Sequence, residues 1–214
     1  RYKQQFLDNV LLPEDGYHGP EIIEIARDIQ KQHGDKFLHE DGYEFFRQYG
    51  VDRLLLGLKE DLHRFNVDFD VWFSEKSLYD NKVVVSTVEF LKENNFTYEL
   101  DGALWLKTSE FNDEKDRVII KSDGNYTYLT PDIAYHKNKL DRGYTKLVDI
   151  LGSDHHGYID RLKASIEMVG GKSNLLDVEI LQMVKVLQDG EEVKMSKRSG
   201  KAITLRELID DVGV

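Results

Sequence analysis

The hydrophobic period changes four times between residues 130 and 212, and this alternation constrains the fold more than any other feature. "TPDIAYHKNKL" (130–140) has helical spacing, "KLVDIL" (146–151) is a short apolar strand, and "HHGYIDRLKASIEMV" (155–169) is helical again. "VEILQMVKVL" (178–187) is expected to be the next strand and "TLRELIDDV" (204–212) the last helix, with Thr204 as N-cap and Glu207 in capping-box register. Strand, crossover helix and strand in that order require parallel pairing, with helices on the sheet faces.

Upstream, Ile22, Ile25, Ala26 and Ile29 lie at helical spacing before a stop at Gly34. Leu54, Leu55, Leu58 and Leu62 mark a second amphipathic helix, about 44–65. "VDFDVWFSE" (67–75) alternates as a strand does, and Val84, Val88 and Leu91 fit a helix ending at Asn94-Asn95. Between 97 and 128 the runs "TYEL", "ALWLKT", "RVIIKS" and "YTYL" are broken by Asp101-Gly102 and Asp123-Gly124, which predicts a small antiparallel β insertion. Trp72 and Trp105 are expected to pack in the core or the insertion, and Lys115, Asp116 and Arg117 to form a solvated turn.

A formal net charge of −11 argues against phosphate binding over the whole surface, which needs clustered Lys and Arg. One loop departs from that balance. "VKMSKRSGKAITL" (193–205) sets Lys194, Lys197, Arg198 and Lys201 among small residues without an acid. It follows a strand and precedes a helix, where ligands bind in parallel α/β sheets, so a polyanion such as a departing pyrophosphate is its natural guest. A merely solvated basic loop is the other reading. The sequence has no cysteine, which excludes disulfides and thiolate metal sites and agrees with a reducing compartment. No apolar run is long enough to span a bilayer.

The order "KMSKR" (194–198) resembles the second signature of class I aminoacyl-tRNA synthetases. Further blocks resemble the bacterial arginyl-tRNA synthetases: "LLPEDGYHG" (11–19), "DVWFSE" (70–75), "DGALWLKT" (101–108), "KDRVIIKSDGNYTYLTPDIAYH" (115–136), "GSDHHGYIDRLKA" (152–164) and "VKMSKRSG" (193–200). The resemblance implies a Rossmann-like, doubly wound parallel sheet, incomplete in this chain. It implies ATP-dependent activation of L-arginine to arginyl-adenylate and transfer to tRNA(Arg), in the cytoplasm and as a monomer, with no membrane partner.

By the same resemblance, Lys194, Lys197 and Arg198 act on the triphosphate and the departing pyrophosphate, and Met195 and Ser196 belong to the ATP site. Lys201 is either part of that group or solvated. Tyr128 and Asp132 match the arginine side-chain pocket, where a carboxylate meets the planar guanidinium through paired hydrogen bonds. Tyr135, seven residues beyond Tyr128, is expected to line the same pocket. Asp132 has a second reading, since Thr130-Pro131-Asp132 is a helix start with Thr capping and an acid at the positive dipole end. Gly152, Asp154, His155 and His156 are expected at ATP: the glycine for close approach, Asp154 for a ribose hydroxyl, one histidine at adenine. Asp154 as a helix cap and a packed structural histidine remain alternatives. Adjacent histidines seldom aim at one ion, so no protein-bound metal is expected, and Mg2+ arrives with ATP. His18 is read as shaping a loop.

No histidine lies in the HxGH pattern that class I synthetases pair with the basic loop. The chain is therefore read as part of a catalytic domain, without the HIGH-bearing segment and the anticodon-binding domain, and is expected to be inactive alone. Another class I synthetase, or a noncatalytic tRNA-binding paralogue, is the alternative.

Overall fold

The computed structural model describes residues 1–14, 16, 19–188, 190–192 and 203–214. The chain divides into two compact units, Arg1–Val71 with Lys185–Val214, and Trp72–Val184. In the first, α1 (Pro20–His33) buries Ala26 and Ile29 and stops at Gly34, whose φ of +59° suits glycine and whose N–H reaches the Gln30 carbonyl at 2.8 Å. After α2 (Lys36–His39), Phe37 stacks on Phe45 with ring centroids 4.7 Å apart, in a cluster that includes Tyr2 and Phe46. α3 (Tyr43–Arg64) forms where the leucine spacing predicts, yet buries none of its residues.

The stretch 67–75 is not a strand, and Phe69, Val71 and Trp72 are exposed. Alternation says which faces a strand would present. It cannot supply the neighbouring backbone that a strand's N–H and C=O groups require.

In the second unit, α4 (Lys76–Asp80) leads to α5 (Val83–Glu93), which buries Val84, Val88 and Leu91. β1 (Thr97–Leu100), β2 (Ala103–Leu106) and β3 (Arg117–Ile120) form an antiparallel sheet in that order. Asp101 and Gly102 both take positive φ, the two-residue turn that matches strand twist. Trp105 stacks on Tyr98 across the sheet. Arg117 is no part of a solvated turn: it opens β3 and grips the buried Asp113. "YTYL" contributes a single bridge, Ile120 to Tyr126, because the chain turns at Leu129 into α6 (Leu129–Asp141).

β4 (Leu147–Gly152) crosses through α7 (Ile159–Met168) to the parallel β5 (Leu176–Leu181), in register from Leu147↔Leu176 to Gly152↔Leu181. β5 ends at Leu181 rather than continuing to 187. Its partner leaves at Ser153 for a 3-10 helix, Ser153–Tyr158, which also replaces the first turn of the helix expected from 155. Three clusters hold this unit, one of them Leu78, Val84 and Ala134. Leu91, Leu106, Ile119, Ile133 and Met168 join α5, the small sheet, α6 and α7, while Leu147, Leu162, Ile166 and Leu176 seal α7 on the parallel pair. Each such side chain contributes about 1.5–3 kcal/mol on burial.

The first unit resumes with a short hairpin, β6 (Leu187–Gln188) and β7 (Glu191–Glu192), and then α8 (Leu205–Val212). The Thr204–Glu207 capping box forms as predicted. Arg206 Nε donates to Asp61 Oδ1 at 2.6 Å and Arg64 to Asp210 Oδ1 at 2.5 Å, tying α8 to α3. No helix among the described residues is long and apolar enough to cross a membrane.

Candidate active site

The amino end of α6 carries Tyr128, Asp132 and Tyr135, and the carboxyl end of β4 leads through Gly152 into Asp154, His155 and His156. Thr130 does not cap the helix. α6 begins at Leu129, and the Thr130 hydroxyl donates to the Ile119 carbonyl at 2.5 Å, fastening α6 to β3. Pro131 still lies in the first turn, where its missing N–H has no intrahelical acceptor to disappoint.

Asp132 is half-buried, and its carboxylate is engaged across the unit: the Tyr158 hydroxyl donates to Asp132 Oδ2 at 2.6 Å. Burial, together with that carboxylate, pushes the Tyr158 hydroxyl well above the usual phenol range, so it stays a donor. The Arg161 guanidinium lies 5.3 Å from the centre of the Tyr158 ring, and His155 meets that ring edge-on at 6.3 Å.

One turn beyond Asp132, the buried His136 donates from Nδ1 to the Asp132 carbonyl at 2.8 Å, and its Nε2 lies 2.8 Å from Asp149 Oδ2. Lys139, one turn further, reaches Asp149 Oδ1 at 3.1 Å. Burial alone would raise Asp149; the His136 hydrogen bond and charge, with Lys139, instead hold it below the ordinary carboxylate range.

The other predicted residues are placed differently. Tyr128 occupies the N-cap position of α6 with its side chain 92% exposed. Tyr135 stacks on Phe73 at 4.4 Å under the Lys139 ammonium, in the cluster of Leu78, Val84 and Ala134. Gly152 ends β4, and a Cβ there would stand 2.8 Å from Asp154 Oδ1. Asp154, His155 and His156 are exposed on the 3-10 helix that follows, and Asp154 does not cap α7, which starts at Ile159. His18 and the whole basic loop, Lys194, Met195, Ser196, Lys197, Arg198 and Lys201, lie outside the described residues. Among the described residues no cluster of three or more His, Asp or Glu is arranged to hold a metal ion.

Sequence reasoning did not single out Tyr158, His136 or Asp149. Positions 132, 136 and 139 recur at helical spacing and so could have been grouped on one face. Nothing in spacing marks Tyr158, 26 residues from Asp132.

Residues 30–213 match the family model described as tRNA synthetases class I (R), catalytic domain. The chain belongs to this synthetase family. Among the relatives of the class I (R) synthetase chain, arginine–tRNA ligase 1 of Halalkalibacterium halodurans is 55% identical over 206 residues, covering 95% of this chain and 37% of that protein. The arginine–tRNA ligase of Oceanobacillus iheyensis is 52% identical over 217 residues, covering all of this chain and 39% of that protein. A solved Campylobacter jejuni structure, assigned as an arginyl-tRNA synthetase, superposes with a TM-score of 0.85 at 41% identity, over 96% of this chain and 44% of that one. Thermus thermophilus arginyl-tRNA synthetase shares the fold, with a TM-score of 0.61 at 15% identity over 87% of this chain and 38% of that one. The chain therefore has the class I synthetase α/β fold with a small antiparallel sheet, and spans under two-fifths of the length of these curated relatives.

Proposed function

We propose that the protein carrying this chain activates L-arginine with ATP to arginyl-adenylate and transfers the arginyl group to tRNA(Arg). The observation that carries this reading is the Asp132 carboxylate, half-buried and fixed through Oδ2 by a neutral donor. A carboxylate so held keeps its plane for a guanidinium, whose planar fork rewards a matching one. Tyr128, exposed beside it at the start of α6, is free to close over the arginine side chain, and Tyr135 supports the helix behind them.

The nucleotide side of the reading uses Gly152, Asp154, His155 and His156 at the carboxyl end of β4, where parallel sheets take ligands. Asp154 takes a ribose hydroxyl and one of the histidines meets adenine. Gly152 has no side chain to obstruct the Asp154 carboxylate, which folds back to within contact distance of it. Lys194, Lys197 and Arg198 stabilise charge on the departing pyrophosphate, with Met195 and Ser196 in the same ATP-closing loop. Mg2+ enters as part of the ATP complex. A monomeric, cytoplasmic enzyme with this small-molecule and tRNA partnership and no membrane association is the assignment. The β-rich stretch 97–128 is a connective insertion of the catalytic domain.

The test is attachment of labelled arginine to tRNA by the complete protein, beside an Asp132→Asn variant. The parent is expected to charge arginine, and the variant to lose at least about a hundredfold in kcat/KM for arginine, as removal of a charged hydrogen-bond partner does, while ATP binding survives. A parent that charges no arginine rejects the reading. A variant that charges normally reduces Asp132 to a helix-start acid.

A further inference from the structure

We propose that Tyr158 is a positioning residue for arginine recognition, fixing one oxygen of Asp132 so that the carboxylate plane is set before the guanidinium arrives. The inference rests on the arginine reading of Asp132 and deepens it. Tyr158 lies in the block 152–164 whose other residues are read at ATP, on the turn that ends the 3-10 helix Ser153–Tyr158. Its hydroxyl reaches across to α6 and meets Oδ2 at 2.6 Å, while Oδ1 accepts no hydrogen bond among the described residues.

Three physical points make this contact more than packing. The terminal torsion of an aspartate is broad and two-fold, so an untethered carboxylate samples many planes. A planar, forked ligand rewards only the matching one, and fixing it beforehand removes an ordering cost from binding. Finally, the tether is neutral. A lysine or arginine in its place would offset the negative charge that the ligand needs, whereas a phenol hydroxyl orients the carboxylate and leaves that charge in place. The ring itself has the Arg161 guanidinium at 5.3 Å and the His155 ring at 6.3 Å, and packs into two of the unit's clusters, so the hydroxyl has a defined direction.

The experiment is a double-mutant cycle in the complete protein, with Tyr158→Phe, Asp132→Asn and both together, reading arginine KM and kcat in tRNA charging, or Kd where turnover is too slow. Tyr158→Phe keeps the ring and removes only the hydroxyl. The arginine KM is expected to rise about tenfold to a hundredfold, the effect of deleting a hydrogen bond to a charged group, with a much smaller change in kcat and in the ATP KM. That loss is expected to vanish when Asp132 is already Asn, the signature of one residue acting through the other. An unchanged arginine KM in Tyr158→Phe, or the same loss in both Asp132 backgrounds, overturns the proposal. So does a parallel rise in the KM of both substrates with a lowered melting temperature, which marks a structural role. Should the Phe variant not fold, 3,5-difluorotyrosine at 158, with its more strongly donating hydroxyl, carries the test: the arginine KM is expected to shift several-fold at an unchanged ATP KM, and an unchanged arginine KM overturns the proposal. A parent that charges no arginine overturns both this inference and the function it rests on; a parent that does, with an unperturbed Phe variant, overturns the tyrosine's role alone.

Discussion

His136 Nε2 lies 2.8 Å from Asp149 Oδ2, and through this contact α6 and β4 share a buried hydrogen bond to a carboxylate that Lys139 pairs with from the other oxygen. Removing one member leaves its partners buried without compensation. Asp149→Ala is therefore expected to cost about 3–5 kcal/mol in urea unfolding, whereas an exposed pair such as Lys76–Asp80 contributes below about 1 kcal/mol. A loss no larger than that of the exposed pair would mean that packing alone holds α6 on β4.

Asp149 also sets a pH dependence. Its folded value lies below the ordinary one, so the unfolded chain binds its proton first as acid is added. The stabilisation is complete above the unfolded carboxylate value, about 3.9, and is lost as pH falls through the folded value. The stability gap between the parent and Asp149→Asn is expected to be flat near neutrality and to close below about pH 4. A gap that widens in acid contradicts the assignment of the carboxylate as the charged partner.

Asp113 and Arg117 hold the hairpin side of the small sheet through two hydrogen bonds of 2.7 Å, with the aspartate side chain 2% exposed. Asp113→Ala is expected to destabilise by about 3 kcal/mol or more, because the guanidinium is left buried and unpaired. Replacing both, as Asp113→Leu with Arg117→Met, is expected to recover part of that loss. Denaturant midpoints of the two variants check the ordering.

Gly152→Ala separates stability from function. The backbone there has φ −69°, which alanine accepts, and the nearest obstacle is the far end of the exposed Asp154 side chain. The melting temperature is expected to shift by no more than a degree or two, while displacement of Asp154 raises the ATP KM several-fold in the complete protein. An unchanged ATP KM removes Asp154 from the nucleotide site.

Thr204→Ala removes the side-chain half of the α8 capping box, the bond accepted from the Glu207 N–H, and leaves the residue 204 N–H on the Glu207 carboxylate, at a cost of about 1 kcal/mol. Hydrogen exchange is expected to accelerate first in the opening turn of α8 and least at Ile209, the residue that the helix buries.

Much of this fold was legible because periodicity and turn chemistry are local. The Gly34 stop, the Asp101-Gly102 turn and the Thr204–Glu207 box each reside within a few residues, and each formed. The stretch 67–75 failed because a strand is a property of two segments, and only one was being read. β5 was overrun for the same reason, since its end is set by the departure of β4 at Ser153. At the candidate site, Asp132 and the 152–156 segment were given roles by resemblance; Tyr158 and His136 lie in the same resembling blocks but were given none. Tyr158 meets Asp132 through tertiary packing, and Thr130, which looked like a cap, spends its hydroxyl on a carbonyl of β3.

Asp132, His136 and Lys139 sit at intervals of four and three along α6, which sets them on a single side of the helix. A helix advances about 100° per residue, so inserting or deleting one residue between 132 and 136 would swing the carboxylate away from Tyr158 while the histidine and lysine kept Asp149. α6 thus works as a ruler with fixed graduations. Its outer face can drift in composition, but its length between those marks cannot change without separating recognition from the scaffold that steadies it.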